Sequence, residues 1–250
     1  MYNICCKLDE KWTGSFEEGL VHLNELNINN IQIDDSIDSI DLIAMDGAQI
    51  EKYRNLLIKY NKKVVLLNSS IALTKTENYR LLFMKALRLK VECIKISLCS
   101  NWMEATQLEE IVHVLRMGKS FNIRCTIEYD VNRFDDLART PLLNLCKQFD
   151  LKLIFNPLEI VRQKKHPFFN VFYNCKFKNN IHFLRINDGL FISGAPIEPG
   201  NGNAEVKELV SALTARNYEG YFLIESYMNS GDIDNSRIVL DRLKAILTEI

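Results

Sequence analysis

Short apolar runs alternate along the chain with longer stretches in which apolar residues recur at helical spacing. The runs are apolar on both faces, which is typical of parallel strands covered by helices. They begin near Tyr2, Asn29, Lys63, Val91, Asn122, Leu151, Asn180 and Gly220. The amphipathic segments that favour helices span 15–27, 46–61, 76–89, 104–121, 133–149, 203–217 and 233–249. Successive strand starts are roughly 30 residues apart, the length of a strand, a turn and a crossover helix.

Eight such repeats in 250 residues predict a single (β/α)8 TIM barrel that occupies residues 1–250 as one domain. A doubly wound open sheet is the alternative, but it rarely needs eight strands in this length. No G-x-G-x-x-G follows the first strand, so nothing favours a nucleotide-binding Rossmann domain. No linker or low-complexity segment marks a domain boundary.

The composition narrows the classes of partner. The 31 basic and 32 acidic side chains nearly cancel, which argues against a nucleic-acid partner. No apolar run reaches the roughly 18 residues of a membrane helix, and the first residues lack the apolar stretch of a signal peptide. The seven cysteines form no Cys-x-x-Cys pair, and several lie inside apolar runs. We therefore expect buried thiols in a reducing cytoplasm.

Polar residues end four consecutive apolar runs. Glu128 follows Arg-Cys-Thr-Ile, Asn156 follows Leu-Ile-Phe, Arg185 follows His-Phe-Leu, and Glu225 follows Phe-Leu-Ile. In a TIM barrel the active site lies at the carboxyl ends of the strands. One such residue alone is as well explained by local capping, but four in succession, two of them carboxylates, predict a functional site.

Three segments resemble the xylose-isomerase-like superfamily of sugar isomerases and epimerases, which also includes the endonuclease IV group. The strongest is PGNGNAEVKELVSALTARNYEGYFLIE, which is similar to that family's glycine-rich loop, seventh helix, Tyr-x-Gly turn and strand ending in Glu. SFEEGLVHLNELNINNIQI resembles the first helix and second strand, with Gln32 where the family often has Glu. CTIEY resembles the fifth strand. The resemblance implies a barrel that acts on a small sugar.

Members of that family hold a divalent metal with Glu, Asp, His and Glu from strands 5 to 8, and many use the two Glu residues to move a proton. Glu128 and Glu225 match the two Glu positions. The Asp position is Asn156 here, and Glu159 falls where a substrate-contacting His is common. The His position is Arg185. The resemblance therefore implies the two catalytic carboxylates and puts the metal in doubt.

Arg185 would repel a metal ion, because its fixed positive charge lies at a ligand position. The same charge would instead neutralise Glu128 or Glu225 by a hydrogen-bonded pair. His182 could replace the missing ligand only if the strand-7 register slips, since it begins the apolar run and alternates to the opposite face from Arg185. We therefore expect no metal, and Mn, Co, Zn or Mg only if that register is wrong.

Two functional hypotheses follow. In the first, Glu128 and Glu225 form the acid–base pair of an isomerase or epimerase for a small sugar or hydroxy-carbonyl compound, and Arg185 stabilises the enediolate. In the second, the site binds a small carbohydrate-like ligand without chemistry, as a pseudoenzyme. A DNA-repair endonuclease fits poorly, because its zinc cluster is rich in His and the chain has four.

The remaining candidates are substrate contacts. Asn68 and Lys95 lie near the ends of strands 3 and 4, although Lys95 points inward in only one of two registers. Trp12 and Trp102 follow strands 1 and 4 and could stack on a sugar, or could pack beneath a loop. The glycines of segment 194–203 could bind phosphate through backbone N–H groups, although a tight connection explains them better. The oligomeric state, with a homo-oligomer among the alternatives, is left open.

Overall fold

A computed structural model describes residues 2–8, 14–132, 134, 136–225 and 234–250 of the chain. Eight parallel strands close into a barrel in the order β1, β8, β7, β6, β5, β4, β3, β2. Their bounds are β1 Asn3–Lys7, β2 Asn30–Asp34, β3 Lys63–Asn68, β4 Cys93–Lys95, β5 Arg124–Glu128, β6 Lys152–Phe155, β7 Ile181–Arg185 and β8 Tyr221–Ile224. The predicted (β/α)8 barrel is confirmed, and the open sheet is excluded.

A helix follows every barrel strand. The helices are α1 Phe16–Glu25, α2 Gly47–Lys59, α3 Thr76–Arg88, α4 Ala105–Ser120, α5 Asp136–Phe149, α6 Pro157–Arg162, α7 Val206–Thr214 and α8 Asp234–Thr248. Helix α7 starts later than the predicted 203, because Glu205 has a φ of +53°, which a helix interior does not adopt. Short antiparallel pairs follow two barrel strands, and they join Ser36–Ile37 to Ile40–Asp41 and Asp188–Gly189 to Pro196–Ile197.

The first four helices end in the same way. In each case the second residue after the helix has a positive φ, and the N–H of the residue that follows it donates to the carbonyl two residues before the last helical residue, which is a Schellman motif. These bonds join Ile28 to Leu23, Lys62 to Leu57, Val91 to Ala86 and Ile123 to Gly118. The left-handed residues are Asn27, Asn61, Lys90 and Asn122. This repeated turn stops each helix and directs the chain into the next strand.

The chain divides into two compact units, which are described separately. Unit 1 comprises Met1–Lys7, Tyr129–Asn132 and Leu153–Ile250, and unit 2 comprises Leu8–Glu128 and Arg133–Lys152. The organisation as one domain over residues 1–250 stays a prediction. Within the described residues, no helix is both long and apolar enough to span a bilayer.

Burial separates the cysteines into two groups. Cys5, Cys6, Cys93, Cys125 and Cys146 are buried, whereas Cys99 and Cys175 are partly exposed. Burial raises the pKa of the thiols of Cys6, Cys93 and Cys125 to about 12. All seven are free thiols, and the expectation that they are buried is confirmed for five of them and wrong for Cys99 and Cys175.

Because the thiolate is the reactive form, we expect Cys99 and Cys175 to react with a thiol reagent in the native protein at mildly alkaline pH. The five buried thiols should react only after denaturation. Mass spectrometry of the labelled peptides before and after addition of guanidinium checks this. Fast native labelling of Cys6 or Cys125 would contradict the burial described here.

Candidate functional site

The structure places the four predicted site residues at strand ends. Glu128 is the last residue of β5 and Arg185 the last of β7, while Asn156 and Glu225 directly follow β6 and β8. Parallel strands of a barrel end at the same rim, where the loops of TIM barrels carry function. The position of these residues along their strands agrees with the sequence prediction. Asn156, Arg185 and Glu225 belong to unit 1, and Glu128 belongs to unit 2.

Arg185 forms an ion pair with Glu225. Its Nη1 lies 2.5 Å from Glu225 Oε2, and the two side chains are 6% and 20% exposed. The register pairs Arg185 with Leu223, two residues before Glu225, so β7 and β8 direct both side chains to the same face of the sheet. The arginine–glutamate pair expected from the sequence is therefore present, with Glu225 as the partner.

Asn156 forms a side-chain hydrogen bond with Asn187, which also belongs to unit 1. Its Oδ1 accepts a hydrogen bond of 2.8 Å from Asn187 Nδ2. Asn187 is 1% exposed, and its own Oδ1 accepts from the N–H of Leu158 at the start of α6. The carbonyl that could have been a metal ligand thus helps to hold the loop after β7 against α6.

Asp188 organises the glycine-rich loop before α7, a role that the sequence analysis missed. It is fully buried, and its two oxygens accept backbone N–H bonds of 2.7–3.0 Å from Gly189, Gly200, Gly202 and Ala204. Burial raises the pKa of this carboxyl, while the four N–H donors oppose the shift by stabilising the charged form. A Cβ at Gly202 would collide with the carboxylate, so this position requires glycine.

The hypothesis that backbone N–H groups of segment 194–203 bind a phosphate is therefore wrong for the loop conformation observed. The N–H groups of Gly200 and Gly202 already donate to Asp188, and a carboxylate at their centre repels a second anion. In the sequence, Gly200 and Gly202 indicated that the backbone comes close to a hydrogen-bond acceptor. The sequence could not show that this acceptor is the Asp188 side chain of the same protein.

Unit 2 has its own pair of charges at the strand ends. Lys95 Nζ lies 3.1 Å from Glu128 Oε2, with the side chains 18% and 25% exposed. Beside them, Asn68 Nδ2 donates to Asp34 Oδ1 over 2.9 Å. The predicted contacts Asn68 and Lys95 therefore lie on neighbouring strands with their polar atoms engaged, and Lys95 takes the inward register.

The other candidates have mixed outcomes. Trp102 is 1% exposed and packs edge-on against Phe134, so its role as a stacking platform is corrected to packing beneath a loop. Glu159 lies in the first turn of α6 and forms an ion pair with Arg162, and its contact with substrate stays a prediction. Trp12 lies outside the described residues.

His182 lies at the start of β7, three residues before Arg185. Its ring packs edge-on against Phe183 and Tyr221, with centroids 5.0 and 5.4 Å apart. His182 and Arg185 therefore lie towards opposite ends of β7, and the register of β7 is not shifted so as to place His182 at the strand end. The register expected from the sequence is the one observed.

Comparisons with known proteins support the fold. No protein-family model matches the chain, and no curated protein is similar to it in sequence. Among solved structures, it is similar to a xylose isomerase domain protein from Planctomyces limnophilus, with a TM-score of 0.76, 11% identity, and coverage of 100% of this chain and 98% of that one.

Two further solved structures share the same architecture. A sugar phosphate isomerase/epimerase from Parabacteroides distasonis has a TM-score of 0.72 at 13% identity, covering 98% of this chain and 95% of that one. A xylose isomerase-like TIM barrel protein from Mycobacterium smegmatis, in complex with magnesium, has 0.71 at 13% identity, covering 99% and 98%. The chain therefore has the fold of the sugar isomerase/epimerase-like TIM barrels.

A divalent metal does not fit the residues described. Arg185 holds a positive charge against Glu225, and the Asn156 carbonyl is occupied by Asn187. Glu128, in unit 2, is paired with Lys95. Over the part of the chain that the structure describes, no group of three or more His, Cys, Asp or Glu side chains could hold a metal ion.

Removal of the Glu225 carboxylate should destabilise the protein strongly, because it takes a counter-charge away from the buried Arg185 guanidinium. We expect Glu225→Ala to lower the free energy of unfolding by about 3 kcal/mol. The control is Glu159→Ala, which breaks a pair whose side chains are 44% and 45% exposed and should cost less than about 1 kcal/mol. Denaturant titration compares the two. Equal losses would mean that Arg185 is not held by Glu225.

Replacement of the arginine should make room for a metal. Arg185→His removes the fixed charge and frees Glu225, so we expect this variant to retain Zn(II) or Co(II) after dialysis more than the parent does. Elemental mass spectrometry of both proteins measures it, with Arg185→Gln as the control that removes the charge without adding an imidazole. Equal metal content in the parent and the histidine variant would count against Arg185 as the residue at the ligand position.

Proposed function

We propose that the protein is a metal-independent isomerase or epimerase that acts on a small sugar or hydroxy-carbonyl compound. The observation that carries the proposal is the Arg185–Glu225 ion pair at the ends of β7 and β8. It combines a carboxylate with a fixed cation, in a fold that its structural neighbours share with sugar isomerases and epimerases. The fold alone does not imply the activity, so the proposal rests on the side chains.

The reaction proposed is a proton transfer next to a carbonyl group. One carboxylate removes the proton from the carbon beside the carbonyl, and the electron pair moves to the carbonyl oxygen to form an enediolate. A carboxylic acid then returns a proton to carbon. The resemblance in sequence implies Glu128 and Glu225 as this acid–base pair. We assign removal of the proton to Glu128 and its return to Glu225, and such catalysis contributes roughly 10²–10⁴-fold.

Arg185 stabilises the negative charge of the enediolate, as a metal ion does in related reactions. The guanidinium carries five N–H donors and always bears its charge. Nη1 donates to Glu225, so the group can hold that carboxylate and face the enediolate oxygen together. A dry, low-dielectric position strengthens this interaction, and Arg185 is 5% exposed.

The alternative is a ligand-binding protein without chemistry. One observation favours it: both candidate carboxylates are paired with a cation, Glu225 with Arg185 and Glu128 with Lys95. A nearby positive charge stabilises the ionised carboxylate and makes it a weaker base. In this alternative the same side chains position hydroxyl groups of a ligand and no proton moves.

Exchange of substrate hydrogen with solvent separates the two functions. The protein is incubated in D₂O with a panel of pentoses and hexoses, and the loss of the C–H signal beside the carbonyl is followed by NMR. We expect exchange with the parent and its loss by at least about 10²-fold in Glu128→Gln. Glu109→Gln, at an exposed position of α4, is the matched control and should exchange like the parent.

Thermal unfolding of each variant checks that the fold is retained. Absence of exchange in the parent with every sugar that binds would contradict the enzyme proposal and favour the binding protein. Exchange that persists in Glu128→Gln would remove Glu128 from the proton transfer.

A further inference from the structure

A cavity of about 690 Å³ lies in unit 2 at the amino ends of β4 and β5. Arg124, in its wall, is the first residue of β5, whereas Glu128 is the last. The Cα atoms at the two ends of such a strand are about 13 Å apart. The cavity is therefore separate from the strand-end residues, and its volume is usual for sites that hold small organic molecules.

The wall of the cavity carries side chains of both charges. Its cations are Arg124 and two lysines, Lys119 and Lys147, which lie in the last turns of α4 and α5. Its anions are Glu92 and Asp150. The kind of ligand that the cavity attracts therefore depends on which of these charges are already neutralised.

Both carboxylates are paired with lysines that lie outside the wall. Lys63 Nζ lies 2.5 Å from Glu92 Oε1, and Lys152 Nζ lies 2.7 Å from Asp150 Oδ1. Arg124 Nε also lies 3.4 Å from Asp150 Oδ2. Two carboxylates thus already face three cations, before the two lysines of the wall are counted.

Lys119 and Lys147 add two further positive charges. Neither forms an ion pair or a side-chain hydrogen bond with any residue that the structure describes. The carbonyl dipoles at a helix C-terminus favour a cation, which explains part of their presence. Each helix end is equivalent to only about half a charge, less than the full charge of its lysine. The cavity therefore keeps an excess of positive charge.

Apolar side chains form another part of the wall. Leu115 and Ile123 are 2% and 3% exposed, and Phe149 is half-buried. An organic ligand can cover this apolar surface while its charged groups meet the lysines. The combination of apolar wall and excess cations fits an organic anion better than a bare inorganic ion.

We propose that this cavity binds a small organic molecule with two or more negative charges, as a phosphate ester or a polycarboxylate has. An ammonium group donates charge-assisted hydrogen bonds to the oxygens of either class. Lys119 and Lys147 come from different helices, so they hold two charged groups of one ligand or two sides of the same group. The proposal is independent of the isomerase reaction, because Glu128, Arg185 and Glu225 lie outside the wall.

The test is calorimetric titration of the whole protein with ATP, citrate and adenosine at low ionic strength, without divalent cations. ATP represents the phosphate esters, citrate the polycarboxylates, and adenosine is the neutral counterpart of ATP. We expect the parent to bind at least one of the two anions with one molecule per chain, and not to bind adenosine. Added salt should weaken the binding, because it screens exposed charges.

Three variants change the charge of the wall in both directions. Lys119→Gln and Lys147→Gln should each weaken anion binding about fivefold, the upper range for one exposed charge pair. Asp150→Asn removes the partner of Arg124 and Lys152 and should strengthen binding by a similar factor. Asp150 has a φ of +53°, which asparagine adopts readily, so this substitution retains the turn.

Lys244→Gln is the matched control. Lys244 is an exposed lysine of α8 in unit 1, outside the wall of the cavity. Its substitution changes the net charge by the same amount as those of the wall lysines and should leave the affinity unchanged. Thermal unfolding of each variant without ligand checks that the fold is retained.

Three results would overturn the proposal: no binding of either anion, equal binding of adenosine and ATP, or equal weakening by Lys244→Gln and the two wall variants. The last would mean that the net charge alone attracts the anion. Tighter binding of ATP would support a phosphate ester as the ligand, and tighter binding of citrate a polycarboxylate. None of these results depends on proton exchange, so failure here leaves the isomerase proposal to its own test.

Discussion

A buried guanidinium requires a counter-charge, and this constraint governs the chemistry at the strand ends of unit 1. Arg185 is 5% exposed and cannot lose its proton, so a carboxylate must stay beside it. Glu225 supplies that carboxylate and is thereby withdrawn from metal coordination. In the function that we propose, the carboxylate of this pair takes part in proton transfer beside a carbonyl group and its cation stabilises the enediolate.

The surrounding loop depends on a second buried carboxylate. Asp188 gathers four backbone N–H groups, and so it fixes the segment between β7 and α7 without any metal or phosphate. Glu205 acts similarly at the other end of this segment, where it accepts from the N–H of Phe168 and from the His166 ring. Internal acidic side chains thus take the N–H donors that an anionic ligand would otherwise use.

Unit 2 combines satisfied and unsatisfied polar groups on one interior face. Lys95 is paired with Glu128 and Asn68 with Asp34, whereas Gln32 Oε1 and Thr126 Oγ1 have no hydrogen-bond partner among the residues that the structure describes. The barrel, whose fold the solved structures share, therefore has polar side chains on this interior face of unit 2.

The sequence by itself determined the eight strands, seven of the eight helices and the strand-end positions of Glu128, Asn156, Arg185 and Glu225; it missed the short helix α6. These follow from local periodicity, which depends on residues close together in the chain. Only the tertiary structure decided the partners: Arg185 meets Glu225 across 40 residues and Asn187 meets Asn156 across 31. It also decided that Trp102 is buried and that the glycine-loop amides belong to Asp188. Such choices depend on distance and burial in three dimensions, which the spacing of residues along the chain does not encode.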